Sequence, residues 1–148
     1  MRRAALAAGM DRPATVRRLQ LALLAVVALG ALSVGPLLVA APDGHLVGLP
    51  QGDLAGSPFH DYLVPGLLLT GLGAPHGWAL VLQARRRARA WFWTGFAAAA
   101  LVVWIAVQVL IIQPSFLQPL LFAFGAAEGL LALWQWRHPV LASIPAVD

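Results

Sequence analysis

Cysteine is absent from this 148-residue chain, which removes disulfides, thiolate metal sites and dithiol redox chemistry together. A four-span, quinone-linked thiol oxidoreductase is excluded on that ground. Charge is also scarce, at 11% of residues. No glycine loop runs into Lys and Ser or Thr to cradle a phosphate, no His-Glu pair has zinc-protease spacing, and no serine sits in a nucleophile elbow. The single tyrosine, Tyr62, and the scattered serines lack a base partner, so an intramembrane hydrolase has little support. The two halves of the chain show none of the internal similarity that inverted-repeat transporters carry.

What the chain has instead is apolar length. Hydrophobic residues make up 60% of it and the mean hydropathy is +0.78. Four apolar runs stand out, Leu19 to Ala41, Tyr62 to Ala84, Trp91 to Ile112 and Pro119 to Trp134. At about 1.5 Å per residue, helices of this length reach across, or nearly across, a hydrocarbon layer of about 30 Å. They use up nearly the whole sequence, which leaves no room for a separate soluble domain. The expected fold is all-α, an integral membrane four-helix bundle in one transmembrane domain covering residues 1–148.

Orientation follows from the arginines, which supply all ten basic residues. Arg2, Arg3, Arg12, Arg17 and Arg18 precede the first run, Arg85, Arg86, Arg87 and Arg89 join the second to the third, and Arg137 follows the fourth. All lie on one side of the four spans. The opposite side receives the connection 42–61, with Asp43, Asp53 and Asp61, and the short turn Gln113 to Gln118. The positive-inside rule then places both N- and C-termini in the cytoplasm and the 42–61 loop outside. Trp91, Trp93, Trp134 and Trp136 lie beside the arginines, where an interfacial belt would be, whereas Trp78 and Trp104 lie deeper and are expected to pack inside. Although the net charge is +4, the arginines cap apolar runs instead of lining a soluble face, so they meet anionic lipid and not nucleic acid. The first run also resembles a signal peptide ending at Val39-Ala40-Ala41, but it is longer than the usual 7 to 15 apolar residues of a signal core and is expected to stay as an anchor.

The 42–61 loop has turn signals at Pro42-Asp43-Gly44 and Gln51-Gly52-Asp53, with His45 to Pro50 expected as a short extended piece between them. Ser57-Pro58 reads as a helix start, because a serine oxygen can accept an orphan backbone N–H and proline suits the first helical position. Pro65 should then kink that helix or begin a separate span. The segment Gly56-Ser57-Pro58-Phe59-His60-Asp61-Tyr62-Leu63-Val64-Pro65-Gly66-Leu67-Leu68-Leu69, with Trp104-Ile105-Ala106-Val107-Gln108 and Phe116-Leu117-Gln118-Pro119, resembles an uncharacterised family of small bacterial four-span membrane proteins. That resemblance covers most of the chain from Pro42 to Trp134. It implies a bacterial inner-membrane location and carries no activity, substrate or site.

Within the spans, Glu128, His76, Gln108 and Ser33 demand an explanation. A carboxylate facing lipid at mid-span costs about 2.5 to 3.5 kcal/mol or more on insertion scales. Glu128 should therefore face the other helices, and Gly125 and Gly129 on either side of it permit close approach. His76 follows Pro75, whose missing N–H frees a backbone carbonyl. Counted at the helical rise, Glu128 lies about 15 Å and His76 about 19 Å from the outer end, near enough in level to pair. Ser33 lies at a neighbouring depth. These residues, with Asp61, His60 and Gln108 lining an entry from outside, form the candidate ligand-binding or proton-binding set. No His, Asp or Glu spacing suits a metal, and no cofactor is expected.

Two roles compete. One is a small non-enzymatic protein serving as an accessory or assembly subunit, with a membrane-protein partner or a second copy of itself packed on its glycine-rich second and fourth spans. The other is a proton-coupled small transporter centred on Glu128; a quinone-facing or lipid-facing enzyme ranks third. Topology is tested first. Reporter fusions after Ala88 and at the C-terminus should show cytoplasmic activity and one near Gly52 periplasmic activity; a cytoplasmic signal at Gly52 overturns the orientation.

Overall fold

The computed structural model describes residues 2–138, with side chains from residue 14 onward. Arg2, Arg3 and Arg12, counted in the charge asymmetry, have side chains outside that description. Among the described residues the protein is all-α, with four long helices and no strands: α1 (Arg2–Ala40), α2 (Leu63–Ala84), α3 (Ala90–Ile111) and α4 (Leu117–Arg137). Three stretches are long and apolar enough to cross a membrane, Ala14–Ala40 within α1, α3 and α4. The 22-residue α2 is as long as α3. Its hydropathy is diluted by four glycines, Pro65, Pro75, His76 and Gln83.

Consecutive helices pack antiparallel, α1 on α2, α2 on α3 and α3 on α4, and α4 closes more lightly on α1. That order leaves α2 and α4 facing each other across the diagonal. Since lipid is as apolar as leucine, no hydrophobic drive holds such helices together, and close backbone approach has to do so. The sequence supplies it with small residues on the inward faces. A methyl group built on Gly66 would lie 2.8 Å from Leu38 Cβ and 3.0 Å from the Gly35 carbonyl oxygen, and one on Gly73 would lie 2.8 Å from Leu32 Cγ. On the other side of the molecule, a methyl on Gly125 would lie 2.9 Å from Val102 Cγ2 and 3.3 Å from the Ala98 carbonyl oxygen. Ala79, Ala97, Ala98 and Ala132 complete these buried contacts. Large apolar side chains point the other way: Val26, Leu29, Phe92, Phe96, Val103 and Leu130 are all more than half exposed. An outward belt of this kind is what a lipid-facing surface presents, in keeping with a multi-pass membrane protein.

The connections differ in part from expectation. His45–Val47 forms a 3-10 turn between two glycines in the left-handed region, Gly44 at φ 81 and Gly48 at φ 70, so no extended piece exists there. Gln51–Leu54 forms a second 3-10 turn. Ser57 starts no helix; its Oγ accepts the Phe59 N–H at 3.2 Å in a local turn. The physical reason lies in Tyr62, which is committed to the preceding loop. Its backbone N–H donates to the Pro42 carbonyl at 2.8 Å and its hydroxyl to the Pro50 carbonyl at 2.7 Å. Phe59 also packs on the buried cluster of Leu38, Leu54 and Tyr62, and the segment is held out of helical geometry until Leu63. There Asp61 Oδ1 accepts the Leu63 N–H at 2.9 Å. Pro65 falls in the first turn of α2, where its missing N–H has no intrahelical partner to lose, and causes no break.

At the other end, α2 stops in a Schellman turn, with the Arg87 N–H on the Leu82 carbonyl at 3.0 Å and Arg86 at φ 51 in the left-handed position. Arg17 reaches across from α1 and donates to the carbonyls of Gln83 at 3.3 Å and Ala84 at 3.1 Å. Trp91 and Trp136 stack at 6.0 Å between α3 and α4 at this arginine-bearing end. Trp78, expected inside, is 51% exposed and belongs to the outward belt, whereas Trp104 packs on the Val27, Leu101 and Ile105 core.

Close approach at Gly35 generates a paired prediction. A methyl there would meet Thr70 Oγ1 and lie 2.8 Å from the Thr70 backbone nitrogen, whereas one at Gly30 meets nothing within 4 Å. Gly35→Ala should cost about 1 to 3 kcal/mol of thermal stability in detergent. Gly30→Ala should be neutral or gain up to about 1 kcal/mol through helix propensity. Equal stabilities for the two variants would contradict the α1–α2 contact.

Candidate functional site

Glu128 and His76 meet where α4 and α2 face each other across the diagonal. The His76 Nε2 lies 3.3 Å from Glu128 Oε2, and both side chains are fully buried. His76 is held from the other side of its ring, with Nδ1 2.7 Å from the Leu72 carbonyl oxygen one helical turn back. A carbonyl only accepts, so Nδ1 carries the proton there. That bond falls on the carbonyl next to Gly71, the one that Pro75 frees at i−4, so the histidine takes up polarity beside the proline break and not the freed group itself.

With Nδ1 protonated, the facing pair has a simple hydrogen-bond inventory. If no proton lies between Nε2 and Oε2, a lone pair faces a carboxylate oxygen without compensation. One proton there makes the pair net neutral, whether it rests on the imidazole or the carboxyl. The approach is oblique, and neither Nε2 nor either oxygen of Glu128 makes an aligned hydrogen bond. Such groups are costly to leave unsatisfied in a buried setting. They form a centre with unused hydrogen-bonding capacity at the core of the helix packing.

Seven residues further along each of these two helices comes a second polar layer, which the sequence reading missed. Gln83 Nε2 donates to Gln135 Oε1 at 2.8 Å and to Thr94 Oγ1 at 3.3 Å, and Thr94 donates to the Ala90 carbonyl at 3.0 Å. Gln83, Thr94 and Gln135 are all buried. The signal for this layer is the shared spacing, His76 to Gln83 on α2 and Glu128 to Gln135 on α4, which puts each pair on one helical face. They lie close to the arginines, where interfacial polar residues are ordinary. Gln20 on α1 is also fully buried, and neither its amide nitrogen nor its amide oxygen has a hydrogen-bond partner.

The other singled-out residues lie elsewhere. Ser33 is on the exposed face of α1, and Gln108 is half-buried near the loop end of α3. His60 is exposed and Asp61 half-buried at the start of α2. Two apolar clusters lie between this loop surface and the buried pair: Leu38, Leu54 and Tyr62 under the loop, then Val27, Leu101 and Ile105 with Trp104, Leu121 and Phe124. In the loop itself, Asp43 Oδ1 accepts from the His45 backbone and ring, at 3.2 and 2.6 Å, and these bonds hold the Asp43 carboxyl below the usual range. No group of three or more His, Cys, Asp or Glu able to hold a metal occurs among the described residues. Comparison with models of known families, with characterised proteins and with solved structures finds no match to this chain.

The glutamine layer can be tested by a double-mutant cycle. Gln135→Leu should cost about 1 to 3 kcal/mol, because it strands the buried Gln83 amide. Adding Gln83→Leu should recover part of that loss, since both partners are then apolar. Strict additivity in detergent unfolding would show that the two amides are not coupled.

Proposed function

We propose that this chain is a four-span bundle of the bacterial cytoplasmic membrane, with both termini cytoplasmic, working as a small non-enzymatic, proton-coupled carrier. The observation that carries the reading is the fully buried 3.3 Å contact between His76 and Glu128. An intramembrane acid is expensive and marks a proton or substrate path by default. Placed against an imidazole whose other nitrogen is already committed, it becomes a centre whose net charge depends on a single proton. The pair joins diagonal helices, so gaining or losing that proton alters the electrostatic balance between α2 and α4 directly.

The accessory-subunit alternative would use glycine faces of α2 and α4 for a partner, and Gly71 of α2 still faces open space. What favours the carrier over it is that the most closely approached glycines, Gly66, Gly73 and Gly125, are occupied by α1 and α3 of the same chain. The four-span arrangement rests on the equal length and central packing of α2, and the orientation on the arginines gathered at one end.

Proteoliposomes carrying an imposed pH gradient, with potassium and valinomycin clamping the voltage, test the carrier. The wild-type protein should dissipate the gradient faster than empty vesicles, and Glu128→Gln should insert and fold yet lose that excess flux. The amide resembles a protonated acid in shape but cannot exchange a proton in its place. Equal flux from wild type and Glu128→Gln would remove the proton-coupled reading.

A further inference from the structure

We propose that two copies of this chain pair through the outward face of α2, with Trp78 of each copy seated in the notch that Gly71 and Ala74 leave on the other. The inference does not rest on the proton-binding reading of His76 and Glu128, whose side chains are buried inside the bundle.

The outward face of α2 is unlike those of its neighbours. On α3 and α4 that surface is bulky, with Phe92, Phe96, Val103 and Leu130 more than half exposed. On α2 the exposed positions are Leu67, Gly71, Ala74, Trp78 and Val81, whose spacings of four and three residues place them on one stripe of the helix. The middle of the stripe is nearly bare: a methyl group built on Gly71 meets nothing within 4 Å, and Ala74 supplies only its own methyl. Beside this notch stands Trp78, 51% exposed, with no ring contact and no hydrogen bond among the described residues. Of the four long helices described, α2 is also the one not apolar enough to count as a span by itself.

Hydrogen bonding says what covers this face. Pro75 has no N–H, so the carbonyl of the exposed Gly71 lacks its α-helical donor. Trp78 offers a donor without an acceptor. Lipid tails satisfy neither group. Trp78 lies seven residues short of Arg85, about 10 Å at the helical rise. Side chains on a helix lean toward its N-terminus, which for α2 is the loop end. The indole is thereby carried away from the level where Trp91 and Trp136 stack, and toward Ala74 and Gly71.

A second copy meets both needs at once. Two copies with the same orientation in a bilayer are related by a two-fold axis along the membrane normal, which sets their α2 helices parallel and level with one another. The four residues from Trp78 to Ala74 cover about 6 Å, a gap that an indole spans. Each Trp78 then fills the other copy's notch and brings its N–H toward the other copy's Gly71 carbonyl. Knob and notch, donor and acceptor, all lie within one patch, as an isologous interface requires. Close approach at small residues together with interhelical hydrogen bonds is what associates helices in lipid.

The chain has no cysteine, so Ala74→Cys carries a single thiol that reports the interface directly. Oxidised in proteoliposomes at low protein-to-lipid ratio, Ala74→Cys should give a disulfide-linked dimer, whereas Ser33→Cys on the exposed face of α1 and Val103→Cys on that of α3 should stay monomeric. In the Ala74→Cys background, Gly71→Leu, which fills the notch, should lower the dimer yield about tenfold. Trp78→Phe, which keeps a ring and removes the donor, should lower it about threefold, the scale of one interhelical hydrogen bond. Both positions face outward, so the thermal stability of the reduced protein should not fall in either variant, which separates loss of pairing from loss of fold. Single-molecule photobleaching of a C-terminal label should count two copies of the unsubstituted protein in the same bilayers. A monomeric count, equal cross-linking at all three cysteine positions, or a yield from Ala74→Cys indifferent to both Gly71→Leu and Trp78→Phe would overturn the pairing.

Discussion

A carboxyl group in the middle of an apolar helix has to find a partner within the protein, and Glu128 finds His76 on the diagonally opposite helix. The rest of the arrangement follows from making that meeting geometrically feasible. For α2 and α4 to exchange polar contacts across the diagonal, α1 and α3 have to pack tightly on both. They do so where Gly35, Gly66, Gly73 and Gly125 bring backbones and short side chains together. Bulk is correspondingly exported at Phe92, Phe96, Val103 and Leu130 of α3 and α4, which face outward. In lipid this division is economical, because an outward leucine loses nothing by leaving the interior while an unsatisfied polar group inside loses a great deal.

Polarity inside the molecule is graded along its length. The arginine-bearing end holds the Gln83, Thr94 and Gln135 layer with Gln20 at about its level, the middle holds the His76–Glu128 couple, and the loop end holds two apolar clusters. Tyr62 fixes that end by tying both its backbone and its hydroxyl to the 42–61 loop. On the proposed carrier reading, a couple with polar groups toward one end and apolar clusters toward the other has the asymmetry that alternating exposure requires, since moving the apolar side changes the end from which the couple is reached.

Much of this was legible in the sequence because period and length are strong signals for apolar helices. The four runs differ from the observed helices by a few residues at most ends, although α1 continues far beyond its expected start, back to Arg2. Glu128 and His76 could be matched in depth from rise per residue alone, but their alignment around the helix axes depends on packing order, which no single run encodes. The short elements were less readable. Ser57-Pro58 has the local chemistry of a helix start, yet the distant hydrogen bonds of Tyr62 override it. Trp78 looked internal by depth alone, and its 51% exposure follows from the face it occupies. Gln20, Gln83 and Gln135 were concealed by their nearness to arginines, where polar residues are ordinary; only the shared seven-residue spacing from His76 and Glu128 marks two of them as inward.

Glu128 is the sole glutamate in the chain, which makes the central contact directly measurable. Glutamate labelled with 13C at the carboxyl carbon reports a single site, and 15N in the histidine rings supplies the partner. Carbon–nitrogen dipolar recoupling by solid-state NMR in a lipid bilayer should show strong dephasing of the Glu128 carboxyl by one histidine nitrogen, as the 3.3 Å contact with His76 requires, and His76→Phe should abolish it. A Glu128 carboxyl with no dephasing, or with dephasing that survives His76→Phe, would contradict the couple on which the proton-binding account depends.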